Sequence, residues 1–315
     1  MRLLVAGAVC WIGCTPPMPP LEPTPVLVAS EPANLIEAGV YDKRVASLRA
    51  TLARSKIALD TVPVIDVCGM HHGINDCVRC QVASRADTAD VDPDMIDAVA
   101  IAFARYSSSV LVAAKLQHVA LCKRIRYDHD HGVDPAGLAS FDAARLFVSI
   151  EYFSDKAHEH YGDFTIEQVV HHELFHMFDH ATLGEKVYAD REWHALNAPS
   201  FTYTDPAPNE ETRPAGFVNA YATTNELEDR ASVFEYLMGQ PAKLCAIMEH
   251  DPIVAAKAKM VWGRVAKLMG ADRLRDEAAC LLRKPAKPVK PVPPRKPGKV
   301  RLKLPTPQPR LDRMR

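Results

Sequence analysis

Beyond its first thirteen residues the chain has no long apolar run. A membrane-spanning helix needs about 20 consecutive apolar residues, so none is expected in the body of the protein. No internal repeat is present, which sets aside solenoids, propellers and other stacked architectures. Charge of one sign is not in excess either: 38 Lys and Arg stand against 39 Asp and Glu, a formal net charge of -1. That balance is not the footprint of a nucleic-acid-binding chain, and no nucleic-acid partner is expected. It does conceal a division. Residues 284–315 hold eleven Lys or Arg and one Asp, so this tail carries +10 and the remainder -11. Nine prolines among the same residues make it a basic, disordered or polyproline-like appendage.

With 315 residues, 48% of them hydrophobic, the chain is long enough for one large domain or two small ones. Residues 1–13 read as an export signal, with Arg2 as the positive start and Leu3 to Gly13 as a short apolar core. Trp11-Ile12-Gly13-Cys14 resembles a bacterial lipobox, with Trp11 standing where leucine is typical. The resemblance implies lipidation at Cys14 and an exported lipoprotein held to the membrane of the cell envelope. An ordinary cleaved signal would give a secreted protein instead. Residues 14–33, rich in proline, form a tether. Setting aside Cys10 and Cys14 leaves Cys68, Cys77, Cys80, Cys122, Cys245 and Cys280, an even set suited to disulfides in an oxidising compartment. Cys77-x-x-Cys80, close to Cys68, His71 and His72, admits a structural metal or a redox pair as alternatives.

Apolar spacing predicts one or two helices over 34–56, a strand over 62–67 and a cross-linked loop over 70–92. Helices are expected from Asp94 to about Cys122, broken near Ser107 to Ser109, followed by a polar loop at 127–137. Arg145 to Tyr152 alternates and is the best strand. A helix follows over 166–180, capped by Asp163 or Thr165, then a long surface excursion over 184–217. Further helices are expected from Thr224 or Asn225 to Met238, from Asp251-Pro252 to near Gly270, and over 271–283. The body, 34–283, is expected to be α+β and mainly helical with a small sheet, divided into a helical part (34–140) and a core (141–283).

Within the helix at 166–180 stands His172-Glu173-Leu174-Phe175-His176, the pattern H-E-x-x-H. Two imidazoles four residues apart project from one helical face and can share one tetrahedral Zn²⁺. The intervening glutamate then lies beside the open position, where a carboxylate can take a proton from water attacking a carbonyl. Apolar neighbours (Val169, Val170, Leu174, Phe175, Met177 and Phe178) fit a helix crossing an enzyme core. The alternative is a buried helix whose histidines are satisfied by carboxylates. His176 with His180 is a competing ligand pair that leaves no glutamate in the right place. His171 projects about 100° from His172 and reads as a packing or surface residue. Asp128, His129, Asp130, His131 and Asp134 form a loop cluster that reads as a solvated turn, with a site for Ca²⁺ or a second metal as the alternative, and His158 and His160 read as loop residues, or else as the rim of the cleft.

A catalytic zinc needs a third protein ligand. Glu226, Glu228, Asp229 and Glu235 are the candidates in the next helix. Glu228 and Glu235 share a face with Ser232 between them, Glu226 points elsewhere, and Glu228 lies nearer the loop where a cleft would open. Tyr221-Ala-Thr-Thr-Asn225-Glu-Leu-Glu228, followed by Ala231 and Phe234, resembles the second motif of gluzincin metallopeptidases of the anthrax lethal factor type. It is also similar to that of a bacterial group of zinc-binding metallopeptidases. The resemblance covers about seventy residues. It implies a zincin-like fold with a sheet above the metal helix, and one Zn²⁺ held by His172, His176 and Glu228. It further implies Glu173 as the base, Tyr221 as the oxyanion donor, and a protein or peptide as substrate. It makes the strand at 145–152 a cleft edge. Where the family has a second glutamate supporting a zinc histidine, this chain has Ser232, so Asp179 or Asp229 is expected to serve. The competing function is a non-catalytic metal-binding or scaffold lipoprotein.

Overall fold

The computed structural model describes residues 34–71, 74–84, 94–128, 134–154, 165–203, 213–269 and 280–281. The export signal, Cys14, the tether, the basic tail, most of the helix expected at 271–283, and His129, His131, His158 and His160 lie outside them. In chain order the elements are α1 (Asn34–Ala53), β1 (Ala58–Leu59), β2 (Val64–His71), β3 (Ile74–Val82), α2 (Asp94–Ala104) and α3 (Ser108–Ala113). Then come β4 (His118–Tyr127), β5 (Gly137–Ser140), β6 (Arg145–Ser149), α4 (Glu151–Ser154) and α5 (Ile166–Leu183). After a 3-10 turn follow α6 (Arg191–His194), a second 3-10 turn (Tyr221–Thr223), α7 (Glu226–Gly239), α8 (Pro241–His250) and α9 (Pro252–Met269).

The fold is mixed α and β, mainly helical with one small sheet, consistent with α+β. The strand order is β2-β3-β4-β6-β5, with short β1 pairing in parallel to the start of β4. β4 and β6 are parallel neighbours and the other pairs along this path are antiparallel. Alternate residues of the inner strands serve two cores, as the pleat requires. Val119, Leu121, Leu146, Val148 and Ala139 join the main core with α1, α2, α5, α7 and α9. Ala120, Cys122, Phe147 and Leu138 face a smaller core with Ile65, Val67 and Val78. The sheet curls enough to bring β2 beside β5.

Several expectations change here. Residues 74–82, expected as loop, form β3; the tail of the helical stretch ending at Cys122 is strand β4. The part expected to be helical, 34–140, holds β1 to β5, and the sheet crosses residue 140 because β4 pairs with β6. β6 ends at Ser149 and has β4 on one side and β5 on the other, so it offers no cleft edge. The excursion at 184–217 is not wholly superficial: Val187, Trp193 and Phe217 are buried.

Cys68 and Cys77 face each other in register across β2 and β3 and form one disulfide. Cys80 joins Cys122 across β3 and β4, and Cys245 on α8 joins Cys280. The alternatives of a structural metal or a redox pair at Cys77 and Cys80 are thereby overturned, since each sulfur is bonded to a different partner. Three disulfides suggest an oxidising, extracytoplasmic environment. No described helix is long and apolar enough to cross a membrane.

Candidate metal centre

Helix α5 is fixed at its start by a capping box: Gln168 N donates to Thr165 Oγ1 and Thr165 N donates to Gln168 Oε1. It then runs through the core with every residue from Gln168 to Asp179 buried. Phe175 stacks on Phe234 of α7 at 5.0 Å between ring centres, and Phe178 meets the same ring edge-on at 6.1 Å. Burying each such ring contributes about 1.5–3 kcal/mol. This packing sets α7 beside α5. Helix α7 begins where Asn225 Oδ1 accepts from Leu227 N and Glu228 N, so Glu228 enters in the first helical turn. A carboxylate is favoured there by the exposed N–H ends of the helix.

The result is a buried triad. His172 Nε2 lies 2.9 Å from Glu228 Oε2, and His176 Nε2 lies 3.6 Å from the same oxygen. One ligand atom from each of His172, His176 and Glu228 falls within 4.8 Å of the others, and all three residues are buried. Ligands about 2.0–2.1 Å from one tetrahedral ion would be separated by about 3.3 Å, and the two distances bracket that value. Two imidazole nitrogens, which must be unprotonated to bind, and a carboxylate oxygen form a donor set that could hold a metal ion.

Electrostatics at the triad is dominated by its carboxylates. Burial alone would lower the His172 pKa; hydrogen bonds to Glu228 and Glu235, with the charges of Glu228 and Glu173, outweigh it and hold the value well above the usual imidazole range. Tyr221 is half-exposed as a residue, at 47%, but its hydroxyl end is enclosed. Enclosure and the Glu228 and Glu173 carboxylates push its pKa well above the usual phenol value, so it stays a donor. The rings of Tyr221 and His172 lie 5.9 Å apart.

The residue behind His172 is Glu235. Its Oε2 lies 3.1 Å from His172 Nδ1, and its Oε1 accepts from Gln168 Nε2 at 2.8 Å. Gln168, the capping-box residue, thus also orients the carboxylate that orients the His172 ring. Asp179 and Asp229, expected in this role, are engaged elsewhere. Asp179 takes the guanidinium of Arg230, and Asp229 takes Lys257 Nζ at 2.7 Å, Trp193 Nε1 at 2.9 Å and the Tyr203 hydroxyl at 2.8 Å. Ser232 Oγ is buried and makes no hydrogen bond among the described residues. The sequence signal was the two-turn step from Glu228 to Glu235, which puts both on one face. Removing such a support commonly costs about 10–100-fold in metal affinity. Glu235→Gln is therefore expected to weaken Zn²⁺ binding by that factor with the stoichiometry kept, read by competition with a chelating indicator.

Other histidines fall outside the triad. His180 stacks on Phe141 at 4.2 Å, so the His176 and His180 pairing does not arise. His171 is buried, accepts or donates at 2.7 Å with the Tyr106 hydroxyl, and is pushed down to a pKa of about 3 by burial and by Arg105. It is a neutral packing residue. Glu226 turns to Asp190 N and His194, and Asp134 pairs with Arg124.

A scan against family models, a search of curated proteins and a search of solved structures each returned no match.

Proposed function

We propose that the protein is a zinc-dependent peptide hydrolase of the gluzincin type, acting outside the cytoplasm and tethered to the membrane through a lipid on Cys14. The observation that carries this reading is the convergence of His172, His176 and Glu228, brought from two helices, with Glu173 between the histidines. A structural metal site would need neither a buried glutamate beside it nor a tyrosine at its mouth. The nitrogen and oxygen donors suit Zn²⁺.

When bound there, Zn²⁺ would lower the pKa of water towards about 7 and polarise a substrate carbonyl. The chain supplies the rest. Glu173, buried beside His172, takes the proton of the attacking water and returns it to the leaving amine. The Tyr221 hydroxyl, held protonated, donates to the carbonyl oxygen as negative charge develops on it. Glu235 keeps the His172 ring oriented with Nε2 towards Glu228, where it would be free to hold the metal.

Elemental analysis of the purified body tests the ligand set. We expect about one Zn per chain in the wild type and almost none in Glu228→Ala. Zinc retained in the variant would remove Glu228 from the site; none in the wild type would overturn the reading.

A further inference from the structure

Gly137 opens β5, the last strand in the sheet order, and lies against α5 at Glu173. A Cβ at this position would stand 2.5 Å from Val169 Cγ1, 2.7 Å from Glu173 Cγ and 3.0 Å from Glu173 Oε1. Side-chain carbons essentially never sit that close to other heavy atoms, so any other residue would force a displacement. Backbone angle does not explain the glycine, because the positive-φ glycines are Gly69, Gly184 and Gly216. Space does.

What would give way follows from the surroundings. β5 is held in register by β6, through Gly137 opposite Val148 and Leu138 opposite Phe147, and by Ser149 N donating to Ala136 O. The α5 backbone is locked in the main core. Val169 is β-branched and stiff. The flexible partner is the Glu173 side chain. A parallel contact exists at the other end of the site: a Cβ on Gly239 would stand 2.7 Å from Cγ of Gln168, the residue that orients Glu235.

We propose that Gly137 is a positioning residue for Glu173: its missing side chain lets the carboxylate lie against β5 at the reach needed for proton transfer beside His172, His176 and Glu228. This rests on the hydrolase reading above. Gly137 does not touch the ligands, so its loss should spare metal binding and disturb the base.

The test uses Val169→Ala as control and Gly137→Ala/Val169→Ala as the main variant. The Val169 truncation makes room on that side, so the pair folds even where Gly137→Ala alone does not. Each is loaded with Co²⁺ and assayed on peptide. Cobalt stoichiometry should match in both. The visible absorption band of the double variant should depart from that of the control in the same direction as that of Glu173→Gln. Its kcat should fall about 100-fold with KM within about twofold. Introduced on top of Glu173→Gln, the change should cause no further loss of residual turnover or shift of the band. An unchanged kcat and band in the double variant, or an equal loss in the Glu173→Gln background, would overturn the role of Gly137 alone. A wild type that takes up no cobalt would overturn the hydrolase reading and this inference together.

Discussion

Glu173→Gln is expected to keep the metal and lose the hydrolysis, with kcat falling about 10³-fold and KM little changed. The two side chains have nearly the same shape, so the narrow space against Gly137 and Val169 is filled as before. Glu173 is not one of the three ligand-bearing residues, so His172, His176 and Glu228 are left intact. What changes is proton chemistry. An amide cannot take a proton from water near neutral pH, and it has no proton to pass on to a leaving amine. Cleavage of a mixed peptide library by the wild type and by the variant, each checked for zinc content, reads the difference. Equal cleavage would remove Glu173 from the mechanism. No cleavage by either, with zinc present in both, would favour a metal-binding scaffold without turnover.

The two helices that carry the site are legible because their signals are local. Thr165, Asn225 and Asp251 each accept hydrogen bonds from backbone amides at the starts of α5, α7 and α9, and each is visible as a polar residue before an apolar-periodic run. The H-E-x-x-H spacing needs only helical geometry to place two imidazoles together. Strands β3 and β4 are illegible for the opposite reason. Asn75, Asp76, Arg79 and Gln81 break any apolar run in β3, whose extended form comes from pairing with β2 and β4. Val119 to Cys122 of β4 is buried on both faces, and such a continuous run reads alike as helix or strand. The supporting acid is legible only in part: its shared face with Glu228 can be read, its partner cannot. Glu235 stands two turns beyond Glu228 rather than one, and only the packing of α7 on α5 brings it to His172 Nδ1. Asp179 and Asp229 lie close to the motifs in sequence, but their partners come from distant segments: Arg230 for one, Trp193, Tyr203 and Lys257 for the other.

Lys257→Met is expected to destabilise the protein by about 3–5 kcal/mol, the usual cost of removing one member of a buried ion pair. Lys257 and Asp229 are both fully buried. Burial pulls each towards its neutral form, raising the Asp229 pKa and lowering that of Lys257, and their mutual charge and hydrogen bond oppose that pull. With the ammonium gone, the Asp229 carboxylate keeps, among the described residues, only the Trp193 and Tyr203 donors, and Gly216 O loses the Lys257 Nζ donor at 2.8 Å. The exchange of Asp229→Asn/Lys257→Met should recover most of the loss. Asparagine still offers an oxygen to Trp193 and Tyr203 but carries no charge to strand, whereas Asp229→Leu/Lys257→Met would leave both donors unmet and recover little. Urea unfolding with the disulfides intact measures each step; a single variant within about 1 kcal/mol of wild type would show that the pair is not holding the fold. The pair also bears on the chemistry. Lys257 ties α9 to α7 and to Gly216, while Arg213 and the Gly216 amide are held by Asp251. These contacts anchor the segment that runs into the turn bearing Tyr221. Loss of the ammonium should therefore loosen Tyr221, the proposed oxyanion donor, before it reaches the proposed ligands, lowering kcat while zinc content in the still-folded fraction stays at about one per chain.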